Sequence, residues 1–118
     1  MWPGSPWLTT DSYKAWARID PADTSDDVAI ADAVAAASEA VELRAPRAFM
    51  VDDSDPPVPL PVPGMAVQAG LLITNRLMSR RNSPDGVVGV PDMGAAVILS
   101  YDADVSQMLG PWTEMVVA

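Results

Sequence analysis

An apolar stretch that runs into a sharp turn constrains the fold of this chain more than any other feature. Residues 71–78 are mostly apolar, and those on one helical face recur at three- and four-residue spacing. Residues 83–86 have the composition of a type I turn, and Pro84 disfavours helical geometry in the residue before it. The sequence therefore predicts a long helix that begins near Pro63 and ends near Asn82.

That helix is apolar on almost every side, so we expect it to be buried on most sides. A chain of 118 residues can bury only a modest core. One explanation is that neighbouring subunits cover what the subunit itself cannot. The residues predicted at such subunit contacts are Leu71, Leu72, Leu77 and Met78.

The C-terminal end of the long helix carries a pair of arginines, and the turn follows them directly. Arginine at this end of a helix compensates the negative pole of the helix dipole. The alternative role is pairing with acidic residues of a neighbouring subunit or of another protein, and the sequence leaves both open. The candidate residues of this loop and inter-subunit charge contact are Arg80, Arg81, Asn82, Ser83, Pro84, Asp85 and Gly86.

A short helix is predicted after an irregular lead-in over residues 1–9. Thr9 or Thr10 suits its N-cap, and the helix should cover residues 11–18. Aromatic residues share one face of it, which is more typical of a core than of a ligand site; they are Tyr13 and Trp16.

An alanine-rich helix is predicted next. Thr24 and Asp27 have the spacing of a capping box at its start. We expect the helix to continue to about Leu43 or Arg44, because a proline follows soon after. Its predicted core stripe lies at helical spacing and comprises Ile30, Val34, Ala37 and Val41.

Residues 52–63 form a proline-rich linker before the long helix. Its prolines exclude a helix or a central strand and favour a stiff, polyproline-like connector. The carboxylates of Asp52, Asp53 and Asp55 lack the glycine and the bidentate glutamate that complete a calcium loop. A solvated acidic linker is therefore favoured over a metal site.

The last third of the chain is predicted to contain a loop, a helix and a tail. Residues 83–100 are predicted to form a loose hairpin or extended loop, and Asp102 then caps a short helix that stops at Gly110. The tail over residues 110–118 is apolar and β-capable, so an acceptor on a partner is expected. The alternative is that Trp112 folds back onto the core of its own subunit. The candidate docking residues of the tail are Trp112, Thr113, Glu114, Met115, Val116 and Val117.

Composition narrows the classes of function. Seven Lys and Arg against sixteen Asp and Glu give a formal net charge of −9, which argues against a free-standing nucleic-acid binder. Cysteine and histidine are both absent, so thiolate sites are excluded and the commonest general base is missing. The carboxylates of Asp52, Asp53 and Asp92 would serve a carboxylate-only hydrolase, but no partner is positioned for them. We therefore predict that the chain is not an enzyme and has no metal site and no cofactor.

The chain is predicted to be one all-α domain over residues 1–118. Its helices should form a small bundle of about four helices, with a long loop or hairpin between the third and the fourth. An extended C-terminal tail completes it. The start of the chain lacks a secretory signal, and its longest apolar stretch is too short for the ~20 residues of a membrane span. A soluble protein is expected.

Several short segments, taken in order and spacing, resemble a known family. The stretch over residues 80–89 is the most specific of them, and the others are residues 13–19, 26–27, 42–47, 92–94, 102–105 and 109–111. Together they are similar to the small head-to-tail connector (adaptor, or head-completion) proteins of long-tailed phages, particularly those that infect actinobacteria. The proline-rich linker departs from this pattern.

The resemblance implies a structural virion protein. All-α subunits of this family form a ring of about a dozen copies beneath the portal protein. The ring extends the DNA channel toward the tail and meets the next neck or tail connector protein. It also implies that the C-terminal tail docks on the portal, and that DNA passes without specific binding and without any membrane contact.

The resemblance places the protein at the head-tail neck of the virion, after synthesis in the host cytoplasm. It brings no catalytic residues to this chain. The alternative function is a small cytoplasmic regulator or inhibitor that binds one protein partner through its apolar C-terminal tail.

Overall fold

The computed structural model describes Gly4, residues 6–82 and residues 103–113. Within these residues there is no strand, and the all-α class predicted from the sequence is confirmed. The predicted hairpin over residues 83–100 and the cap Asp102 lie outside the described residues. The helices are α1 (Thr10–Ala17), α2 (Asp27–Arg44), α3 (Gly64–Asn82) and α4 (Ala103–Leu109), with 3₁₀ helices at Pro46–Ala48 and Gly110–Trp112.

Helix α1 begins at the predicted cap. The Thr9 Oγ1 atom accepts a hydrogen bond from the Ser12 backbone N–H at 3.1 Å, and the Ser12 Oγ atom accepts one from the Thr9 N–H at 3.0 Å. This reciprocal pair satisfies amides that the first turn leaves without partners. The helix ends where Arg18 adopts a left-handed backbone conformation with φ 60°.

Helix α2 begins differently from the prediction. The capping box predicted for Thr24 and Asp27 does not form, so that prediction is wrong. The N-cap is Asp26, whose side chain makes no capping hydrogen bond. Thr24 contributes only its backbone carbonyl, which accepts from the Asp27 N–H at 3.2 Å. The Asp27 carboxylate faces the Lys14 ammonium at 2.8 Å, and a charge-assisted bond is stronger than a neutral capping bond. The predicted end at Arg44 is confirmed.

The core lies between α2 and α3, which pack along each other, with α1 and α4 against them. All four residues of the predicted α2 stripe are buried, and α4 adds Val105 and Leu109, which have no exposed surface. Gly70 permits a close approach on α3, since a Cβ atom there would lie 3.0 Å from side-chain atoms of Trp7 and Leu8. The N-terminal lead-in is thereby packed onto the long helix.

The subunit itself covers much of α3. Leu71 and Met78 are only 5% and 7% exposed, so the expectation that a single chain cannot bury them is wrong. Both belong to the buried core cluster of the subunit, which also contains small residues of α2 and α3. Leu72 and Leu77 are half-buried, and they keep surface available for a subunit contact.

Candidate interaction surfaces

The proline-rich linker folds back on itself, so the stiff, extended connector predicted from its prolines is wrong. The Asp52 N–H donates to the Val58 carbonyl at 2.8 Å, and the Leu60 N–H donates to the Met50 carbonyl at 3.0 Å. Between these bonds a single antiparallel bridge joins the two sides. The segment over residues 50–60 is therefore a short hairpin that joins α2 to α3.

The Asp52 side chain closes this hairpin. Its Oδ1 atom accepts hydrogen bonds from the backbone N–H groups of Ser54 and Val58, both at 2.9 Å. The bond from Val58, and next the bond from Ser54, hold the pKa of the Asp52 carboxyl below its usual range. An aspartate whose side chain caps nearby amides is a strong local alternative to an extended chain, which explains why the prolines did not decide the conformation.

The hairpin displays apolar side chains. Met50 lies opposite Leu60, and Val58 lies opposite Asp52, so side-chain alternation puts these apolar residues on one face and Val51 on the other. Met50 is 52% exposed, Val58 50%, Leu60 43% and Val51 37%. None of these residues contributes to the buried core. We call Met50, Val58 and Leu60, which share one face, the hairpin surface.

Lys14 is a buried charge with a structural role. Its ammonium donates to the Asp27 carboxylate at 2.8 Å and to the backbone carbonyls of Asp23 and Pro21 at 2.7 and 3.3 Å. These three acceptors use all three donors of an ammonium group. The cluster fixes α1 against the loop and the start of α2.

Tyr13 joins α1 to α3 in a similar way. Its hydroxyl donates to the Asn75 Oδ1 atom at 3.0 Å, and its ring lies 6.1 Å from the ring of Trp16. Burial raises the pKa of Tyr13, so the hydroxyl stays protonated and keeps its role as a donor. The core role predicted for Tyr13 is confirmed, whereas the same prediction for Trp16 is wrong, because Trp16 is 37% exposed.

The described part of the C-terminal tail packs on its own subunit. Trp112 is half-buried against the core, where its 3₁₀ turn lies beside the 3₁₀ turn at residues 46–48. The Thr113 hydroxyl donates to the Gly110 carbonyl at 2.9 Å. Of the two predictions made for Trp112, the one in which it folds back onto its own subunit therefore agrees with the structure. The other predicted docking residues lie outside the described part of the chain; they are Glu114, Met115, Val116 and Val117.

The predicted charge contact is described only in part. Arg80 is exposed on the last turn of α3, and Arg81 and Asn82 are the last residues of that helix. The remaining residues of this candidate set lie outside the described ranges; they are Ser83, Pro84, Asp85 and Gly86.

Sequence reasoning missed the hairpin surface, although two signals for it were present. An aspartate two residues before a serine is typical of a turn in which the carboxylate binds a nearby amide. Apolar residues also stand on both sides of that turn at matching distances, as a hairpin requires. The density of prolines outweighed both signals in the prediction.

The described part of the chain contains neither a metal-binding cluster nor a membrane-spanning helix. Within them, no group of three or more carboxylate, histidine or cysteine side chains is arranged to hold a metal ion. None of the helices in that part of the chain has the length and apolar character needed to cross a membrane.

Comparison of the chain with protein-family models, with curated proteins and with solved structures finds no match.

Proposed function

We propose that the chain is a structural subunit of a phage head-to-tail connector. In this proposal copies of the chain form a ring beneath the portal protein, extend the DNA channel toward the tail, and receive the next neck component. The ordered motifs of the sequence support it, above all the stretch over residues 80–89. The small all-α fold agrees with what that resemblance implies.

The observation that carries the proposal is the hairpin surface. Its side chains stand outside the core of a small subunit and are between 43% and 52% exposed, although all of them are apolar. Clustered apolar side chains on the outside of a protein are typical of a surface that another protein covers. A subunit of a permanent assembly has such a surface, because it is never required to remain alone in water.

The charges of the subunit agree with a DNA channel. The formal net charge is −9, and of the seven basic residues Lys14 is buried in contact with Asp27. A surface of the same sign as the phosphate backbone repels it, so DNA moves past without sticking. DNA is therefore a passing cargo in this proposal and not a bound ligand.

The proposal assigns no catalysis to the chain. The described charged groups with clear partners serve to hold elements together, as Lys14 and Asp52 do. The C-terminal tail keeps its assignment as a portal-docking segment from Glu114 onward, while Trp112 acts as the anchor that fixes where the tail departs.

A completion assay with hairpin variants tests the proposed function. Val58→Asp and Leu60→Asp place charges on exposed positions, so we expect folded protein with unchanged helical circular dichroism. Phage that carries either variant should accumulate DNA-filled heads without tails. The matched control is Ala15→Asp, which adds a charge at an exposed site on α1, away from the hairpin, and which should leave particle yield normal.

Normal particle yield from both hairpin variants would contradict the assignment of this surface. Absence of the protein from particles, together with capture of one cytoplasmic partner, would favour the regulator instead.

A further inference from the structure

The second strand of the hairpin, residues 57–61, has no backbone donor left for a partner. Prolines stand at positions 57, 59 and 61 and have no N–H group. The two remaining amides are used inside the hairpin. The Val58 N–H donates to the Asp52 Oδ1 atom at 2.9 Å. The Leu60 N–H donates to the Met50 carbonyl at 3.0 Å. The backbone of this strand can therefore only accept hydrogen bonds.

This arrangement argues against strand addition as the way in which a partner covers the hairpin. An extended segment that joins a sheet edge needs donors as well as acceptors there, and the second strand offers no donor. On the edge of the first strand, the Phe49 N–H is already bonded to the Pro46 carbonyl at 3.2 Å. Between Phe49 and Asp53 only Val51, which is bridged to Pro59, turns its backbone groups outward. One such residue is too short an edge for a ladder.

The charges of the hairpin have one sign. Residues 48–75 contain three aspartates and no lysine or arginine. One of these aspartates closes the hairpin, whereas Asp53 and Asp55 are exposed in its turn. The basic residues that precede this stretch, Arg44 and Arg47, lie before the first strand and away from the turn. The apolar hairpin surface is thus flanked mainly by acceptors, which are carboxylates in the turn and carbonyls in the second strand.

A partner that fits must bring donors, positive charge and apolar surface together. The hairpin of a second copy would place carboxylate against carboxylate and carbonyl against carbonyl, which is unfavourable. DNA has the same sign of charge as the turn. Arginine and lysine meet the requirement, because their side chains have only donors, are cationic and carry apolar stems.

We propose that the hairpin surface is covered by an apolar groove of another protein of the neck, and that arginine or lysine side chains stand on the rim of this groove. The three side chains of the hairpin surface fill the groove. The rim side chains bind the carboxylates of Asp53 and Asp55 and the carbonyls of the second strand. This contact deepens the proposed connector function and rests on it for the place of the partner in the neck.

Completion of heads in vitro tests the charged part of the contact. Heads made without the gene for this chain are mixed with tails and with increasing amounts of the purified protein, and the infectious titre gives the concentration for half-maximal completion. Asp53→Asn with Asp55→Asn keeps the size of the side chains and removes their charge. We expect that concentration to rise about tenfold and its dependence on salt to weaken. Asp32→Asn with Glu39→Gln removes two exposed charges from α2 as the control and should leave it unchanged.

A titration with small compounds tests the same contact without particles. Benzoyl-arginine amide combines a guanidinium group with an apolar ring, and benzoyl-citrulline amide is its uncharged counterpart of similar shape. In methyl NMR spectra of the full chain, the arginine compound should shift the signals of Met50, Val58 and Leu60 several-fold more than the citrulline compound does. The control is the signal of Leu43, which is exposed on α2 beside Arg44 and should not respond.

Equal responses to the two compounds, or a larger response at Leu43, would overturn the proposed contact. Half-maximal completion at the same concentration for the hairpin variant and the control variant would overturn it as well. Either result would leave the connector function standing as long as the natural chain restores the titre. Conversely, a selective response to the arginine compound by a chain that never restores completion would uphold the basic partner and contradict the connector.

Discussion

The Lys14 ammonium lies 2.8 Å from the Oδ1 atom of Asp27, although Lys14 is 3% exposed and Asp27 is 39% exposed. This pair connects the inner face of α1 with the first residue of α2. A buried ammonium without acceptors would be costly, and here the carboxylate shares it with two backbone carbonyls. The position of α1 on the bundle therefore depends on a polar contact as well as on apolar packing.

Removing the Lys14 side chain should destabilise the protein. Lys14→Ala leaves the carbonyls of Pro21 and Asp23 without their donor, and we expect a loss of about 1–3 kcal/mol in the free energy of unfolding. Asp27→Asn keeps an acceptor oxygen and should cost less. Urea unfolding measures both, with Asp26→Ala as the control, because the Asp26 side chain makes no capping hydrogen bond. Equal effects of all three substitutions would contradict the role of the cluster.

The effect of Gly70→Ala on thermal stability should differ between the natural protein and the Trp7→Ala variant. A methyl group at this position would lie 3.0 Å from atoms of Trp7 and Leu8, so Gly70→Ala forces these side chains to move. The overpacking cost of about 1–3 kcal/mol exceeds the gain of about 1 kcal/mol in helix propensity. In a Trp7→Ala background the clash is relieved in part, and Gly70→Ala should become neutral or stabilising. Thermal unfolding of the four proteins measures the coupling, and simple additivity would contradict the close approach.

The hairpin should open as the pH falls. The pKa of Asp52 is lowered in the folded state by the N–H groups of Val58 and Ser54, so its contribution is present above the unfolded pKa. That contribution is lost as the pH falls through the folded pKa, where protonation weakens the acceptor. The protection factor of the Val58 amide, which is the intrinsic exchange rate at each pH divided by the observed rate, should therefore fall in acid.

Two substitutions separate this effect from general acid unfolding. Asp52→Asn keeps an oxygen acceptor and removes the titration, so protection of the Val58 amide should become insensitive to pH. Asp52→Ala should lose that protection at every pH. Unchanged protection in Asp52→Ala would show that the side chain does not close the hairpin.

Two positions on α3 should respond differently to a charge. Met78 is 7% exposed, so Met78→Glu places an unpaired carboxylate in the core and should unfold the subunit. Leu72 is half-buried, so Leu72→Glu should leave the helical signal intact and disrupt assembly if this residue lies at a subunit contact. Circular dichroism measures the helical content of both variants, and native mass spectrometry measures their assembly. Normal rings from Leu72→Glu would remove this residue from the predicted contacts.

Local patterns in the sequence were sufficient to predict where the helices lie. Apolar spacing located the buried stripe of α2, and the threonine before α1 located its cap, because both depend on neighbours within a few residues. The contact between Lys14 and Asp27 was not predictable in this way. It joins two helices across a turn, and Asp27 satisfied a capping pattern just as well in the sequence alone.

The candidate surfaces were not predictable from local patterns either, because they depend on contacts between elements. The hairpin was missed because its closure depends on one carboxylate binding two amides, whereas proline content suggested an extended chain. Burial of Leu71 and Met78 likewise depends on how the other helices pack on α3, which the spacing within α3 alone does not give.

The head-tail neck of the particle gives the most direct test of the connector function. A cryo-electron microscopy reconstruction of purified particles should show a closed ring of copies of this chain directly beneath the portal, with the α2–α3 pair fitting the density of each subunit. The ring should be absent from heads made without the gene for this chain, and those heads should lack tails. A reconstructed neck in which every ring is accounted for by other proteins would contradict the account.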